Sequence, residues 1–326
     1  MNKKELEIPL RVRKLEALLR RLAENHPRYT DISSEYARRM SGYRGEQSLK
    51  YYLSFLKEKE YLIFHNLRLP DTSGEHFFEI DLLIVTPTFT LIIDAKNYRG
   101  ELLFDGKFNQ LIQTYKEEKK VYPCPIAQIN RQQQQLKKLL TTNKFSPLPI
   151  ESLAVFTNPS ALLTATPNHK QIQKVIKSTK FLDMVETFEK SHYKEVLEKK
   201  QLQKISRFLM KKHTPHKQNI FEQFGIQEDE LIKGVCCSNC NNLPMERAQR
   251  LWRCLKCGFS SQTAYLGAIN DYLLLIGNEV TNRNLRDFLN LQSSSAAKTI
   301  LKSLNLSHNG GQKNRIYYFP PDFSIK

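Results

Sequence analysis

The sequence predicts a mixed α/β protein, a mixed sheet flanked by helices with two smaller modules behind it. Three observations carry that reading. Strand-like runs alternate with helical ones from Tyr61 to Phe188. Two Cys-x-x-Cys pairs follow between Cys237 and Cys257. Helical periodicity then returns at Tyr265 and closes on a glycine turn and a short strand-like run. The 326 residues suffice for two or three domains, and an apolar content of 40% supports packed cores. The divisions read as a basic helical arm (1–40), the α/β domain (41–190), a basic helical connector (191–232), a cysteine module (233–262) and a C-terminal module (263–326).

In the arm, Leu10, Leu15, Leu18, Leu19 and Leu22 fall near helical spacing, and Arg11, Arg13, Lys14, Arg20 and Arg21 are read as a solvated basic face. Over Ser41–Lys57, Leu49, Leu53 and Leu56 make a helical stripe, with Glu46 on the same line. An acid on a core-facing line either reaches a site or complements a helix N-terminus. Tyr61–Leu69 reads as a strand, Phe77–Val85 and Thr90–Lys96 as a hairpin, and Glu101–Phe108 as a further strand. Leu111–Tyr122 is undecided. Ile126–Leu140 reads as a helix burying Ile129, Leu136 and Leu140, with Gln132–Gln135 on its solvated face and Cys124 as a packing residue. Glu151–Thr157 is a strand, a short strand surrounds Val175-Ile176, and Phe181–Phe188 is helical. The connector can bury Val196, Leu197, Leu202, Ile205 and Leu209 beneath its lysines, and Thr214-Pro215-His216 ends it.

The hairpin holds the chemistry. With Val85 opposite Thr90, Leu83 faces Ile92 and Asp81 faces Asp94. Alternation then puts Asp81, Asp94 and Lys96 on one face, with Glu79 opposite Lys96. Opposed carboxylates repel unless a cation lies between them, and a hard divalent ion suits such a pair. A plainer arrangement pairs one acid with Lys96 and leaves the other solvated at an edge.

Asp81, a short turn and Asp94-Ala95-Lys96 resemble the PD-(D/E)xK nuclease pattern. From Gly45-Glu46 through Ile80-Asp81 to Asp94-Ala95-Lys96-Asn97-Tyr98-x-Gly100, residues 41–160 resemble more narrowly the nuclease-related domain family (NERD). That family more often has Glu where this chain has Asp94. The resemblance implies a PD-(D/E)xK-like sheet and Mg²⁺- (or Mn²⁺-) dependent hydrolysis of DNA phosphodiesters. It implies metal ligation by Asp81, Asp94 and the carbonyl of Ala95, help from Glu46, charge stabilisation by Lys96 and support from Gln128. A catalytically inactive nucleic-acid-binding protein and a transcriptional regulator are the competing readings.

Cys237, Cys240, Cys254 and Cys257 are spaced as a tetrahedral Zn²⁺ site of the zinc-ribbon type, with Trp252 and Phe259 packing beside the second pair. A redox dithiol or free thiols are the alternatives, and the adjacent Cys236 can replace Cys237. In the last module, Leu266, Ile269, Leu273 and Ile276 form one helix face, and Thr281 caps a second helix with Leu285, Phe288 and Leu289 inward. A third helix spans Ser294–Leu304, burying Ala297, Ile300, Leu301 and Leu304, before a turn at Asn309-Gly310-Gly311 and a strand at Arg315–Phe319. This order resembles a winged helix-turn-helix, which implies DNA contacts from Ser293, Ser294, Ser295 and Lys298 on the recognition helix and from Lys313 and Arg315 on the wing. A small protein-binding module is the alternative.

The net charge of +17, from 50 Lys and Arg against 33 Asp and Glu, favours polyanions and nucleic acid first, although a generically basic soluble protein also fits. The sequence has no apolar run long enough for a membrane span. MNKKELEIPLRVRK has no signal-peptide core, so the expected location is cytoplasmic.

Overall fold

In chain order the protein runs β1 (Asn2–Lys4), α1 (Leu10–Arg21), α2 (Tyr29–Ser54), β2 (Leu62–Pro70), β3 (Phe77–Val85), β4 (Thr90–Lys96), β5 (Gly100–Asp105), β6 (Gln110–Tyr115) and β7 (Glu118–Pro123). Then come α3 (Pro125–Thr142), β8 (Ile150–Phe156), β9 (Ala161–Ala165), β10 (Val175–Lys177), α4 (Phe181–Ser191), α5 (Lys199–Lys212) and α6 (Ile220–Phe224). The remainder is β11 (Glu246–Ala248), β12 (Leu251–Arg253), β13 (Ser260–Ser261), α7 (Tyr265–Leu275), β14 (Glu279–Thr281), α8 (Asn282–Phe288), α9 (Ser294–Ser303), β15 (Ser307–Asn309) and β16 (Ile316–Tyr318). The computed structural model describes residues 2–56, 61–167, 169–216, 219–311, 314–320 and 323. The chain divides into two compact units, 1–7 with 40–217, and 8–39 with 218–326.

The first unit is built on a six-stranded mixed sheet of order β1-β2-β3-β4-β8-β10, in which β2, β3 and β4 are antiparallel neighbours and β4, β8 and β10 are parallel. Side chains of α2 and α4 pack on one face with Leu82, Ile84, Leu91 and Ile93, and those of α3 and α5 pack on the other with Leu83, Val85 and Ile92. Burial on both faces explains why β3 and β4 read as continuous apolar runs. The run 101–123 does not extend this sheet. It forms a second sheet, β7-β6-β5-β9, and β5 ends at Asp105 rather than Phe108. The undecided 111–122 stretch is the β6–β7 hairpin, turned by Lys116 and Glu117, whose φ of 51° and 65° suit a two-residue hairpin turn.

Three expectations for this unit are corrected. Gln132–Gln135 is only in part a solvated face, since Gln134 is exposed but Gln132 and Gln133 turn inward. Gln132 is buried and donates to the Glu79 carbonyl at 2.8 Å, and Gln133 bonds the Ile150 carbonyl, because α3 lies flat over β3, β4 and β8. Val196 is exposed, while Leu197, Leu202, Ile205 and Leu209 are buried. Glu79 is not opposite Lys96; it is paired across β2–β3 with Arg68, its guanidinium 3.4 Å away.

In the second unit, α1 packs against α7, and its basic face is not wholly solvated. Arg21 is fully buried, its Nε 2.9 Å from Asp271 Oδ2, with Arg20 at 2.9 Å from Oδ1. Arg21 Nη1 also donates to the Ile232 and Gly234 carbonyls, and its guanidinium lies 4.1 Å from the Phe288 ring centre. A charge this deep needs such partners, and only Nη2 is left buried without a hydrogen bond. Leu10 is exposed, and α7 is buried on more than the expected face, with Ala268, Tyr272, Leu274 and Leu275 joining Ile269. Thr281 and Ser293 cap α8 and α9 by accepting from the Asn284 and Ala296 amides. β14, β16 and β15 form an antiparallel sheet beside them. No described helix is long and apolar enough to cross a membrane.

Candidate active site and metal centre

The expected hairpin register holds from Val85↔Thr90 to Leu82↔Ile93, and there the β3–β4 ladder stops. Asp81 has no ladder partner in β4. Its Oδ2 instead accepts from the Ala95 backbone amide at 2.9 Å. On the other side, β2 and β3 pair from 62 to 70, with a gap at Asn66, opposite Asp81. Asn66 has φ +50°, a left-handed conformation that asparagine tolerates.

Core membership shows the consequence. Ile80 and Leu83 belong to the α3/α5 core, whereas Leu82 and Ile84 belong to the α2/α4 core. Strict alternation would put Ile80 with Leu82, so the side-chain alternation slips by one residue at Asp81. β2 slips with it, since Ile63 faces the α2/α4 core while Phe64 and Leu67 face the other. The expectation that Asp81 simply shares the face of Asp94 and Lys96 is therefore corrected. The slip leaves the Asp81 carboxylate within electrostatic reach of both Asp94 and Glu46.

Glu46 lies deep inside α2, which begins at Tyr29, so it complements no helix N-terminus. Gly45 sets its height. A Cβ there would lie 2.9 Å from both Asn97 Cβ and Thr157 Oγ1, so only glycine lets the helix sit this close to the ends of β4 and β8. Glu46 Oε2 is buried with no hydrogen-bond partner. Burial, then the charge of Asp81, pushes the Glu46 carboxyl up to about 8, against a hydrogen bond from the Asn66 side chain. Burial, then Asp94, pushes Asp81 up to about 7.

Asp94 is buried and held from two sides. Lys96 Nζ lies 2.8 Å from its Oδ2, and Gln128 Nε2 donates to its Oδ1 at 2.7 Å. Lys96 also donates to Gln128 Oε1 at 3.1 Å, which closes a ring of three side chains. Burial raises the Asp94 pKa against the pull of Lys96. Burial by itself would lower that of Lys96, but Asp94 and Asp81 outweigh it and hold the ammonium charged. Gln128 reaches the site because Pro125 starts α3 immediately after the β6–β7 hairpin. Asn66 is the residue that sequence reasoning missed, since an isolated Asn inside a strand-like run carries no visible signal.

Three mutually repelling carboxyls with raised pKa values, with Glu46 Oε2 unpartnered and Asp94 Oδ2 ion-paired to Lys96 but without a hydrogen bond, suit a divalent cation, which would relieve both burial and repulsion. Their ligand atoms are spread, however. Among the described residues, only four cysteines bring such atoms within 4.8 Å of one another.

Those cysteines are Cys237, Cys240, Cys254 and Cys257. Each pair sits on a matching turn. The Asn241 amide donates to the Cys237 carbonyl and the Gly258 amide to the Cys254 carbonyl, both at 2.9 Å, and both donors have positive φ. Sγ–Sγ distances of 3.7 Å for Cys237–Cys257 and 3.5 Å for Cys240–Cys254 close the cluster, which can hold a metal ion such as zinc. Cys236 stays outside it, near the Cys237 carbonyl. Trp252 is buried, whereas Phe259 is exposed rather than packed, although its backbone carbonyl accepts from the Cys254 amide at 2.8 Å.

Ser293, Ser294, Ser295 and Lys298 are exposed on α9 and its cap. Arg315 is half-buried, with a buried Nε, and is less open than a wing contact requires. Lys313 lies outside the described residues.

Residues 41–157 match the family model of the nuclease-related domain. The matched stretch takes in Glu46, Asp81, Asp94, Lys96 and Gln128, and ends one residue after β8. No curated protein and no solved structure matches the chain.

Proposed function

We propose that this protein is a Mg²⁺-dependent (or Mn²⁺-dependent) deoxyribonuclease with a PD-(D/E)xK-like core. The observation that carries the proposal is the convergence of Asp81, Asp94, Lys96 and Gln128 where the β3–β4 ladder opens, inside the nuclease-related stretch. Asp81, Asp94 and the carbonyl of Ala95 would hold the metal, and Glu46 would complete its surroundings. The metal, when bound, supplies a polarised phosphoryl oxygen and a more acidic water. Lys96 donates to the phosphate oxygen that gains charge or steadies the attacking water. Gln128 fixes both Lys96 and Asp94, so neither side chain must be ordered during the reaction.

The four-cysteine module reads as a structural zinc ribbon. The α7–β16 segment reads as a winged helix-turn-helix that presents Ser294, Ser295 and Lys298 to DNA, with Arg315 as a weaker candidate. Both modules would bring the core to its substrate, and the cytoplasm is the expected setting. One observation favours a non-cutting nucleic-acid-binding protein instead: both oxygens of Asp94 are already engaged, by Lys96 and Gln128.

The test is cleavage of plasmid and linear DNA with Mg²⁺ or Mn²⁺, beside Asp81→Ala and Lys96→Ala proteins. Metal-dependent cutting that falls by about 100-fold or more in both variants is expected. No cutting by any of the three, with DNA binding retained, would establish the non-cutting reading.

A further inference from the structure

The two faces of the six-stranded sheet carry helices of very different charge. On one face α4 carries both signs and is acidic on balance, with Asp183, Glu186 and Glu189 against Lys190; its N-cap Lys180 pairs with Asp183, and Lys190 pairs with Glu186. On the other face α3 carries Arg131, Lys137 and Lys138, and the KKQLQKISRFLMKK of α5 is rich in Lys and Arg; neither helix contains an acid. A carboxylate does flank α5, but Glu198 is its N-cap and is engaged in a capping box with Gln201. An ordinary solvated helix intersperses both signs, as α4 does, so an acid-free face needs another reason.

Lys200, Lys204, Arg207 and Lys211 are all exposed and fall at i, i+4, i+7 and i+11. That spacing aligns them in one stripe about 16 Å long, at about 1.5 Å per residue. Leu202, Ile205 and Leu209 on the opposite side of the helix are buried in the sheet core. The stripe is thus rigidly mounted, and the helix has no free apolar side to insert into a membrane. Its far end is tied to the candidate site. The Thr214 amide donates to the Arg68 carbonyl at 3.0 Å, and the Arg68 amide donates to His213 Nδ1 at 3.2 Å. Arg68 pairs across the ladder with Glu79, two residues before Asp81.

We propose that the α5 stripe is a track for the phosphate backbone of nucleic acid, leading substrate to the Asp81–Asp94 opening from within the first unit and independently of the C-terminal modules. The track rests on the nuclease reading for its purpose, not for its binding. The segment that reads in sequence as a connector becomes a substrate-holding element.

The experiment compares the full-length protein with a variant carrying Lys200→Gln, Lys204→Gln, Arg207→Gln and Lys211→Gln. A control variant removes equal charge from the β5–β7 region (Lys107→Gln, Lys116→Gln, Lys119→Gln, Lys120→Gln). Binding to a short DNA duplex is measured against salt concentration, without added divalent cation. Each lost phosphate contact lowers the log–log salt slope by about 0.9, so the stripe variant is expected to be shallower by about 3.6 and the control unchanged. An unchanged slope in the stripe variant, or an equal change in the control, overturns the proposal. So does lost binding to phosphatidylserine vesicles with an unchanged DNA slope, which assigns the face to a membrane surface. If the fourfold variant melts early, Arg207→Gln with Lys211→Gln is expected to lower the slope by about 2, and an unchanged slope overturns the proposal equally. Because the readout needs no cutting, a protein that binds through the stripe but never cleaves DNA refutes the nuclease reading alone. A protein that cleaves with an unchanged slope refutes the track alone.

Discussion

At the residue scale, the raised carboxyls of Glu46 and Asp81 set a pH signature. Their folded pKa values, about 8 and about 7, lie above the ordinary 4.5 and 3.8, so the fold keeps protons that the unfolded chain has released. Such groups contribute stability that is full below the ordinary values and is lost as pH rises through the folded ones. Melting temperature of the protein without added divalent cation is therefore expected to fall between about pH 4 and about pH 8, and Glu46→Gln is expected to flatten the fall. Mn²⁺ needs the deprotonated carboxylates, so the melting shift it produces is expected to be larger at about pH 8.5 than at about pH 6. A shift independent of pH would count against Glu46 and Asp81 as neighbours of the metal.

At the scale of elements, two contacts position the rest. Gly45 allows α2 to approach β4 and β8, and Gly45→Ala must push Asn97 and Thr157 apart. A cost of about 1–3 kcal/mol in denaturant unfolding is expected, together with lost cleavage because Glu46 is displaced. In the second unit, α1 is fastened to α7 by Arg21 and Asp271. Asp271→Ala leaves Arg21 buried without its counter-charge and is expected to cost about 3–5 kcal/mol, whereas Arg21→Met with Asp271→Leu is expected to cost much less. Equal losses in both variants would mean that packing, rather than the uncompensated charge, is what matters.

At the scale of the whole molecule, the cysteine cluster is part of the second unit's core, where Cys237 and Cys254 pack with Val235, Met245 and Trp252. Stripping the metal should therefore unsettle that whole unit. One zinc per chain is expected by elemental analysis, as are a lowered melting transition after chelation and the same loss in Cys254→Ser. A four-cysteine group that binds no metal and melts unchanged would return the module to free thiols.

The sequence by itself determined the hairpin and its register from Val85 to Leu82, the places of Asp81, Asp94 and Lys96 in its two strands, the four cysteines, and the cap Thr281. These are local properties, fixed by period-two alternation, turn chemistry and ligand spacing. Only the tertiary structure decided that alternation slips at Asp81, since the slip needs Asn66 on a neighbouring strand and two separate cores to reveal it. It also decided that Arg21 is buried and Gln132 covered. A lysine-, arginine- or glutamine-rich helix looks the same in sequence whether its polar groups meet water or partners hundreds of residues away, because hydrogen-bond satisfaction is a property of the assembled fold.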